Sequence, residues 1–224
     1  MARFWTSDLH FQHVNIIKYC GRPFKTVDRM DEVLINNINM RASERDILIH
    51  LGDFMCYGGE RGVPGDKKKE SYYINQIKPT MVNIKGNHDT NNRVNSAADL
   101  IITHLGPYTV SASHYPSPLN PNNRLPIHLC GHVHGLWKHY YDKANKILNI
   151  NVGTDVWNYQ IVSDQELIDY IHKIKKELGL WTNKIYKLFV IPTGFQLNSQ
   201  MMNLKFLLTE IRKNAGKKLC GILQ

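Results

Sequence analysis

Seven short apolar runs rich in β-branched residues recur through the first two thirds of the chain, at 3–6, 47–51, 81–84, 100–103, 108–112, 127–130 and 147–151. Each is only a strand long and is followed by glycine or polar residues, so each reads as a buried strand that needs sheet neighbours. Helical spacing appears between the early runs. Met30, Val33, Leu34 and Ile38 recur at i, i+3, i+4 and i+8 and give one apolar face. Asn15 is placed to cap a short helix through Ile16, Ile17 and Tyr19. Strand–helix alternation up to about Leu51 predicts a layered α/β fold. The closer spacing of later strands predicts antiparallel pairing in the second half.

Composition narrows the class. The chain has 224 residues, of which 42% are apolar and 21% charged, as in a globular protein that buries enough surface to need no disulfides. Cys20, Cys56, Cys130 and Cys220 show no CxxC spacing and read as free thiols in a cytoplasmic protein. The N-terminus shows no apolar h-region of a secretory signal. The uncharged stretches 100–123 and 188–204 are broken by proline, glycine or amides, which argues against a membrane span. Residues 57–70 read as a glycine-rich exposed loop running into a helix start. From Asp164 the pattern changes to an amphipathic helix ending near Gly179, with a second helix at about 199–213. The expected division is therefore a domain at 1–163 and a basic, mostly helical extension at 164–224, packed on the same domain. Lys plus Arg is 28 and Asp plus Glu 19, or +9, and ten basic against five acidic residues put +5 of this beyond residue 163.

Five of the runs end in groups that bind metal. These are Asp8-Leu9-His10, Gly52-Asp53, Gly86-Asn87-His88-Asp89, His114, and Gly131-His132-Val133-His134. In layered α/β folds, sites form where loops converge at strand ends. In extended backbone, i and i+2 point to one side, so Asp8 with His10, and His132 with His134, are expected to face one site. Carboxylate, imidazole and amide oxygen together suit manganese, iron, zinc or nickel better than a thiolate-type structural zinc, with manganese the first expectation and magnesium a further candidate. Either oxygen of Asp53 could serve a different ion, and two such ions form a clamp for displacement at phosphorus.

Asp-x-His, Gly-Asp, Gly-Asn-His-Asp, a lone His and Gly-His-x-His, in this order, resemble the calcineurin-like metallophosphoesterase superfamily over about residues 4–162. The opening segment from Thr6 to Phe24 further resembles small single-domain prokaryotic and phage-type members. The resemblance implies a layered αββα sandwich of two mixed β-sheets flanked by helices. It implies two divalent metal ions, with Asp8, His10 and His134 on the first, Asn87, His114 and His132 on the second, and Asp53 between them. It implies His88 as general acid, with Asp89 orienting its ring. The activity implied is phosphoester hydrolysis, as a phosphodiesterase or phosphatase, with hydroxide bridging the two ions as nucleophile.

Other residues carry less. His13 and Arg22, the latter in Gly-Arg-Pro-Phe, are candidates for substrate binding. His50, His104, His128, His139 and His172 read as core or surface residues, and Tyr140 with Tyr141 as packing residues. Trp181, Tyr186 and Phe189, interleaved with Lys184 and Lys187, read as a packed element more than a stacking platform. The expected substrate is a phosphorylated small molecule or nucleotide. A nuclease or nucleic-acid end-processing enzyme is the alternative that the charge suggests. A non-catalytic binding scaffold is the alternative of another class, and the complete ligand set speaks against it. Oligomeric state is left open.

Overall fold

The computed structural model describes residues 1–57, 68–117 and 125–180. The glycine-rich part of the 57–70 loop, the expected helix at 199–213, Cys220 and the aromatic–lysine stretch from Trp181 lie outside them.

Among the described residues, nine strands and four α-helices follow in the order β1 (Arg3–Thr6), α1 (Val14–Tyr19), α2 (Val27–Arg41), β2 (Ile47–His50), α3 (Glu70–Ile74), β3 (Thr80–Asn83), β4 (Leu100–Leu105), β5 (Tyr108–Ser113), β6 (Ile127–Cys130), β7 (His139–Asp142), β8 (Ile147–Asn151), β9 (Val162–Ser163) and α4 (Asp164–Glu177). They form two mixed sheets flanked by helices, of order β3-β2-β1-β9 and β4-β5-β6-β8-β7. All seven apolar runs are strands. The sequence did not signal β7 and β9: the first is a partly exposed His-Tyr-Tyr-Asp segment and the second is two residues long.

The expected antiparallel second half is corrected. In the second sheet β4–β5 and β7–β8 are antiparallel, but β5–β6 and β6–β8 are parallel. Close spacing in sequence suggested hairpins, whereas the connections after β5 and β6 cross over and bring both strand ends to the same edge.

Side chains alternate along the central strands. Phe4 and Leu48 join the core under α1, α2 and α3, while Trp5 and Ile49 join the core shared with the second sheet and α4. Helix α2 starts where the Thr26 hydroxyl accepts from the Arg29 N–H, and it buries Met30, Leu34, Ile35 and Ile38. Asn15 is not a cap: it lies inside α1, whose N-cap position is His13. Helix α4 opens with a reciprocal capping box between Ser163 and Glu166. It ends at a left-handed Gly179 (φ 65°), with the Leu180 N–H on the Lys175 carbonyl. Its Leu167, Ile171 and Ile174 are buried in the inter-sheet core. Asp164 accepts from Arg3 and from the Trp5 indole, 2.7 Å away, which ties α4 to β1.

His128 on β6 is fully buried. Its Nε2 lies 2.9 Å from the Tyr115 carbonyl, which can only accept, so Nε2 carries the proton and Nδ1 accepts from Ser111 Oγ at 2.8 Å. Burial pulls its pKa down to about 4. The unfolded imidazole titrates near 6.5 and the folded one near 4, so the stability His128 contributes is present above pH 6.5 and is lost as pH falls towards 4. His128→Gln should therefore narrow the gap in unfolding free energy between pH 7 and pH 4.5 by about 2 kcal/mol, measured by urea unfolding of the metal-free protein.

Candidate metal centre

The β1–β2 pairing continues past the strand ends into the loops. The Asp8 N–H donates to the Gly52 carbonyl, His10 to Asp53 and Phe11 to Phe54, each at 3.0 Å. The loop after β8 joins from the other side, where the Thr154 N–H donates to the Ser7 carbonyl. These loops leave extended geometry. Asp8 (φ 58°), His10 (φ 52°), Asp53 (φ 58°), His132 (φ 70°) and His134 (φ 47°) all have left-handed backbone. Asp8 and His10 thus reach one site through two left-handed residues, not through strand alternation as expected. Left-handed non-glycine residues are costly, persist only when surrounding structure holds them, and concentrate at functional sites.

Close backbone approach completes the frame. A Cβ on Gly86 would collide with the Asp53 backbone nitrogen and Oδ1, and one on Gly131 with Ser7 Oγ and Asp8 Oδ2. The Asp8 carboxylate accepts from the His132 N–H at 3.1 Å. Asp89 is buried, and its carboxylate accepts from the backbone N–H groups of Asp53 (3.0 Å), Phe54 (3.0 Å) and Gly86 (2.7 Å). Burial pushes this carboxyl up in pKa, against the opposing pull of those donors.

The donor atoms fall into two groups. Asp8, His10 and His134 form one, and Asp53, His114 and His132 the other. In the second group Asn87 Oδ1 lies 2.8 Å from His114 Nε2 and 3.0 Å from His132 Nδ1, and those two nitrogens are 3.2 Å apart. Asp53 Oδ2 lies 3.4 Å from His114 Nε2 and 3.6 Å from His10 Nε2. One carboxylate oxygen therefore sits between the groups. Two ligands of one cation at about 2.1 Å are about 3.0–3.4 Å from each other, so these separations match the edges of a coordination shell. His10 Nε2 is buried, has no hydrogen-bond partner and faces Asp53, an orphan that a cation would satisfy. The residues present thus fit a pair of divalent cations.

Electrostatics agree with that fit. Burial raises the Asp53 carboxyl pKa, but the hydrogen bond and charge of His114, with His10 and the His88 N–H, outweigh it and hold the carboxyl well below its usual range. Burial pushes the His10 imidazole far below 6.5, which keeps its nitrogen lone pair available. His134 is the exception: burial opposes its charge, yet the hydrogen bond its ring donates to Asp155, with Cys20 and Asp8 nearby, pushes its pKa up to about 10, so a cation must displace a proton to bind there.

Three expectations need correction. Asp89 does not orient His88: its oxygens are taken up by backbone N–H groups, and His88 Nδ1 instead faces Cys56 Sγ at 3.7 Å. Arg22 does not present its guanidinium to a ligand. Its side chain is fully buried, and it donates to Asp155, to the Leu9 carbonyl (3.0 Å) and to the Asp8 carbonyl (2.7 Å). His13 is buried too, with Nδ1 3.2 Å from His10 Nδ1, so it faces the His10 ring and does not reach outwards. His88 alone keeps the expected openness, with a side chain 40% exposed and Nε2 4.0 Å from Asp53 Oδ2. Asp155 and Cys20 were not singled out from the sequence, yet both lie within ligand reach of His134. Lone residues this far from the motifs give no sequence signal.

No family model matches this chain. It is 32% identical over 170 residues to the uncharacterized protein MJ1445 of Methanocaldococcus jannaschii, covering 75% of this chain and 90% of that one. Among solved structures, the Aquifex aeolicus protein of unknown function AQ665 matches at a TM-score of 0.54 and 22% identity, over 75% of this chain and 98% of that one. The Pseudomonas putida nuclease MPE matches at a TM-score of 0.39 and 21% identity, over 59% of this chain and 60% of that one.

Asp89→Ala should strand three buried N–H donors and lower stability by at least about 3 kcal/mol, read by denaturant unfolding of the metal-free protein. A purely catalytic role would leave that stability unchanged. The chain has the fold of two mixed sheets flanked by helices that it shares with AQ665 of A. aeolicus, and it belongs to the same protein family as MJ1445 of M. jannaschii.

Proposed function

We propose that this chain is a divalent-metal-dependent phosphoester hydrolase of the calcineurin-like superfamily, acting on nucleotides or related phosphoesters. The observation that carries this reading is the single Asp53 oxygen placed between two three-residue donor groups. Asp8, His10, Asp53 and His134 would hold one cation, and Asp53, Asn87, His114 and His132 the other. When bound, such a pair supplies positive charge for the phosphoryl oxygens and lowers the pKa of water towards neutrality. Manganese is the first candidate on the mixture of oxygen and nitrogen donors.

The chain's own residues supply the remainder. His88 is exposed at the rim and free of Asp89, so it can reach a leaving oxygen. Water that has given up one proton to solvent attacks phosphorus, the bond from phosphorus to the leaving oxygen breaks, that oxygen takes a proton from His88, and His88 regains one from solvent. A cleft of about 400 Å3 lined by Lys85, Asn87, Thr90, Asp99, His114 and Tyr115 opens beside the second donor group. It gives room for the organic part of a substrate, with the Lys85 ammonium and the Tyr115 ring in its wall.

Hydrolysis of mono- and bis-aryl phosphates should require added Mn2+ and stop with chelator. Asp53→Ala should abolish it together with metal binding. His88→Ala should lower kcat by about 10²–10⁴-fold while both cations still bind. No turnover with any divalent cation would support a binding scaffold in its place. A panel of cyclic nucleotides, dinucleotides, mononucleotides and oligonucleotides separates the nucleotide reading from nuclease activity, since the latter predicts preference for oligonucleotides and strong salt sensitivity.

A further inference from the structure

The two donor groups are supported unequally. Behind the first lies an ion pair between enclosed side chains, in which Arg22 Nε donates to Asp155 Oδ1 at 2.8 Å and Nη2 to Oδ2 at 3.0 Å. Asp155 Oδ2 also accepts from His134 Nδ1 at 3.0 Å. The same guanidinium donates to the main-chain carbonyls of Asp8 and Leu9. One arginine thus touches the backbone that bears Asp8 and precedes His10, and through Asp155 it touches the ring of His134. Those are the three members of the first donor group.

We propose that Arg22 and Asp155 are positioning residues that set the affinity of the first cation site, and of that site selectively. This rests on the two-cation reading above. Asp155 accepts at Nδ1 and so fixes the tautomer that leaves Nε2 of His134 as the metal-facing nitrogen. Hydrogen-bonded carboxylates behind a ligand imidazole fix its orientation and raise its basicity, and their loss typically weakens metal binding about 10–100-fold. Asp155 is not itself a ligand, although it lies within reach of a cation beside Cys20 and His134. Both of its oxygens already accept from the Arg22 fork, which leaves its charge neutralised. Arg22 in turn needs Asp155, because a buried guanidinium without a carboxylate is strongly unfavourable. The second group is backed differently: Asp89 holds the backbone N–H groups of Asp53 and Gly86, and among the described residues the ring of His114 is held not by a carboxylate but by the Leu51 carbonyl, 2.8 Å from Nδ1.

The test is calorimetric titration of MnCl2 into the metal-free full-length protein. The wild type should bind two ions in two resolvable steps, and His134→Ala identifies the step belonging to the first site. Asp155→Asn should weaken that same step about 10–100-fold and leave the other within about two-fold. Arg22→Lys keeps the charge but loses the fork, so it should weaken the same step and serves if Asp155→Asn does not fold. In the His134→Ala background, adding Asp155→Asn should cost less than it does alone, because part of its effect runs through that ring. Three results overturn the proposal: both steps unchanged, both weakened in parallel with a lowered Tm of the metal-free protein, or effects of His134 and Asp155 that add. A wild type that binds no divalent cation overturns instead the two-cation reading on which the proposal stands.

Discussion

One carboxylate oxygen, Asp53 Oδ2, sits 3.6 Å from an imidazole nitrogen on the β1 loop and 3.4 Å from another at the end of β5. The architecture around it serves this convergence. β1 and β2 run parallel, so their ends release the Asp8–His10 and Asp53 loops side by side. β5 and β6 also run parallel, so His114 and the Gly131–His134 loop leave from the same edge of the second sheet. Antiparallel pairs would have sent alternate loops to opposite ends. Gly52 and Gly86 let the loops pass almost in contact, since a Cβ on Gly52 would lie 2.6 Å from the Gly86 Cα. Asp89 then ties the two loops through their backbone N–H groups.

Four of the candidate ligands are deeply enclosed, whereas Asn87, His132 and His134 lie nearer the surface. A ligand for a fixed cation gains from rigidity and from exclusion of water, and Asp8, His10, Asp53 and His114 are almost fully enclosed. A group that must meet a leaving oxygen cannot be enclosed. His88, one residue beyond Asn87, turns outward while its backbone N–H stays on Asp53 Oδ1 at 2.8 Å.

Much of this was legible in the sequence because it rests on periodicity and on local clusters. Every apolar run became a strand, α2 and α4 follow their apolar faces, and the motif residues were found where the runs end. The strand directions were not legible, because the chain crosses over after β5 and β6 and no local pattern records a crossover. The left-handed backbone at Asp8, His10, Asp53, His132 and His134 was hidden for another reason. Asp and His tolerate that conformation better than most residues, but they also occur freely in ordinary loops.

The misassigned residues, Asp89, Arg22 and His13, share one cause. Asp89 and His13 were read by their chemistry close to a motif residue in sequence, and Arg22 as a guanidinium in Gly-Arg-Pro-Phe, where each group suggests direct action. In the folded chain each turns away from the surface and is consumed by hydrogen bonds inside. Burying a charge requires a partner, and the partners are backbone N–H groups for Asp89 and the distant Asp155 for Arg22. Arg22 and Asp155 lie 133 positions apart, and only the fold brings the pair together. A site with this many buried charges needs such interior counter-groups as much as it needs ligands. The polar residues flanking metal motifs are therefore as readily structural as catalytic, and exposure in the fold separates the two.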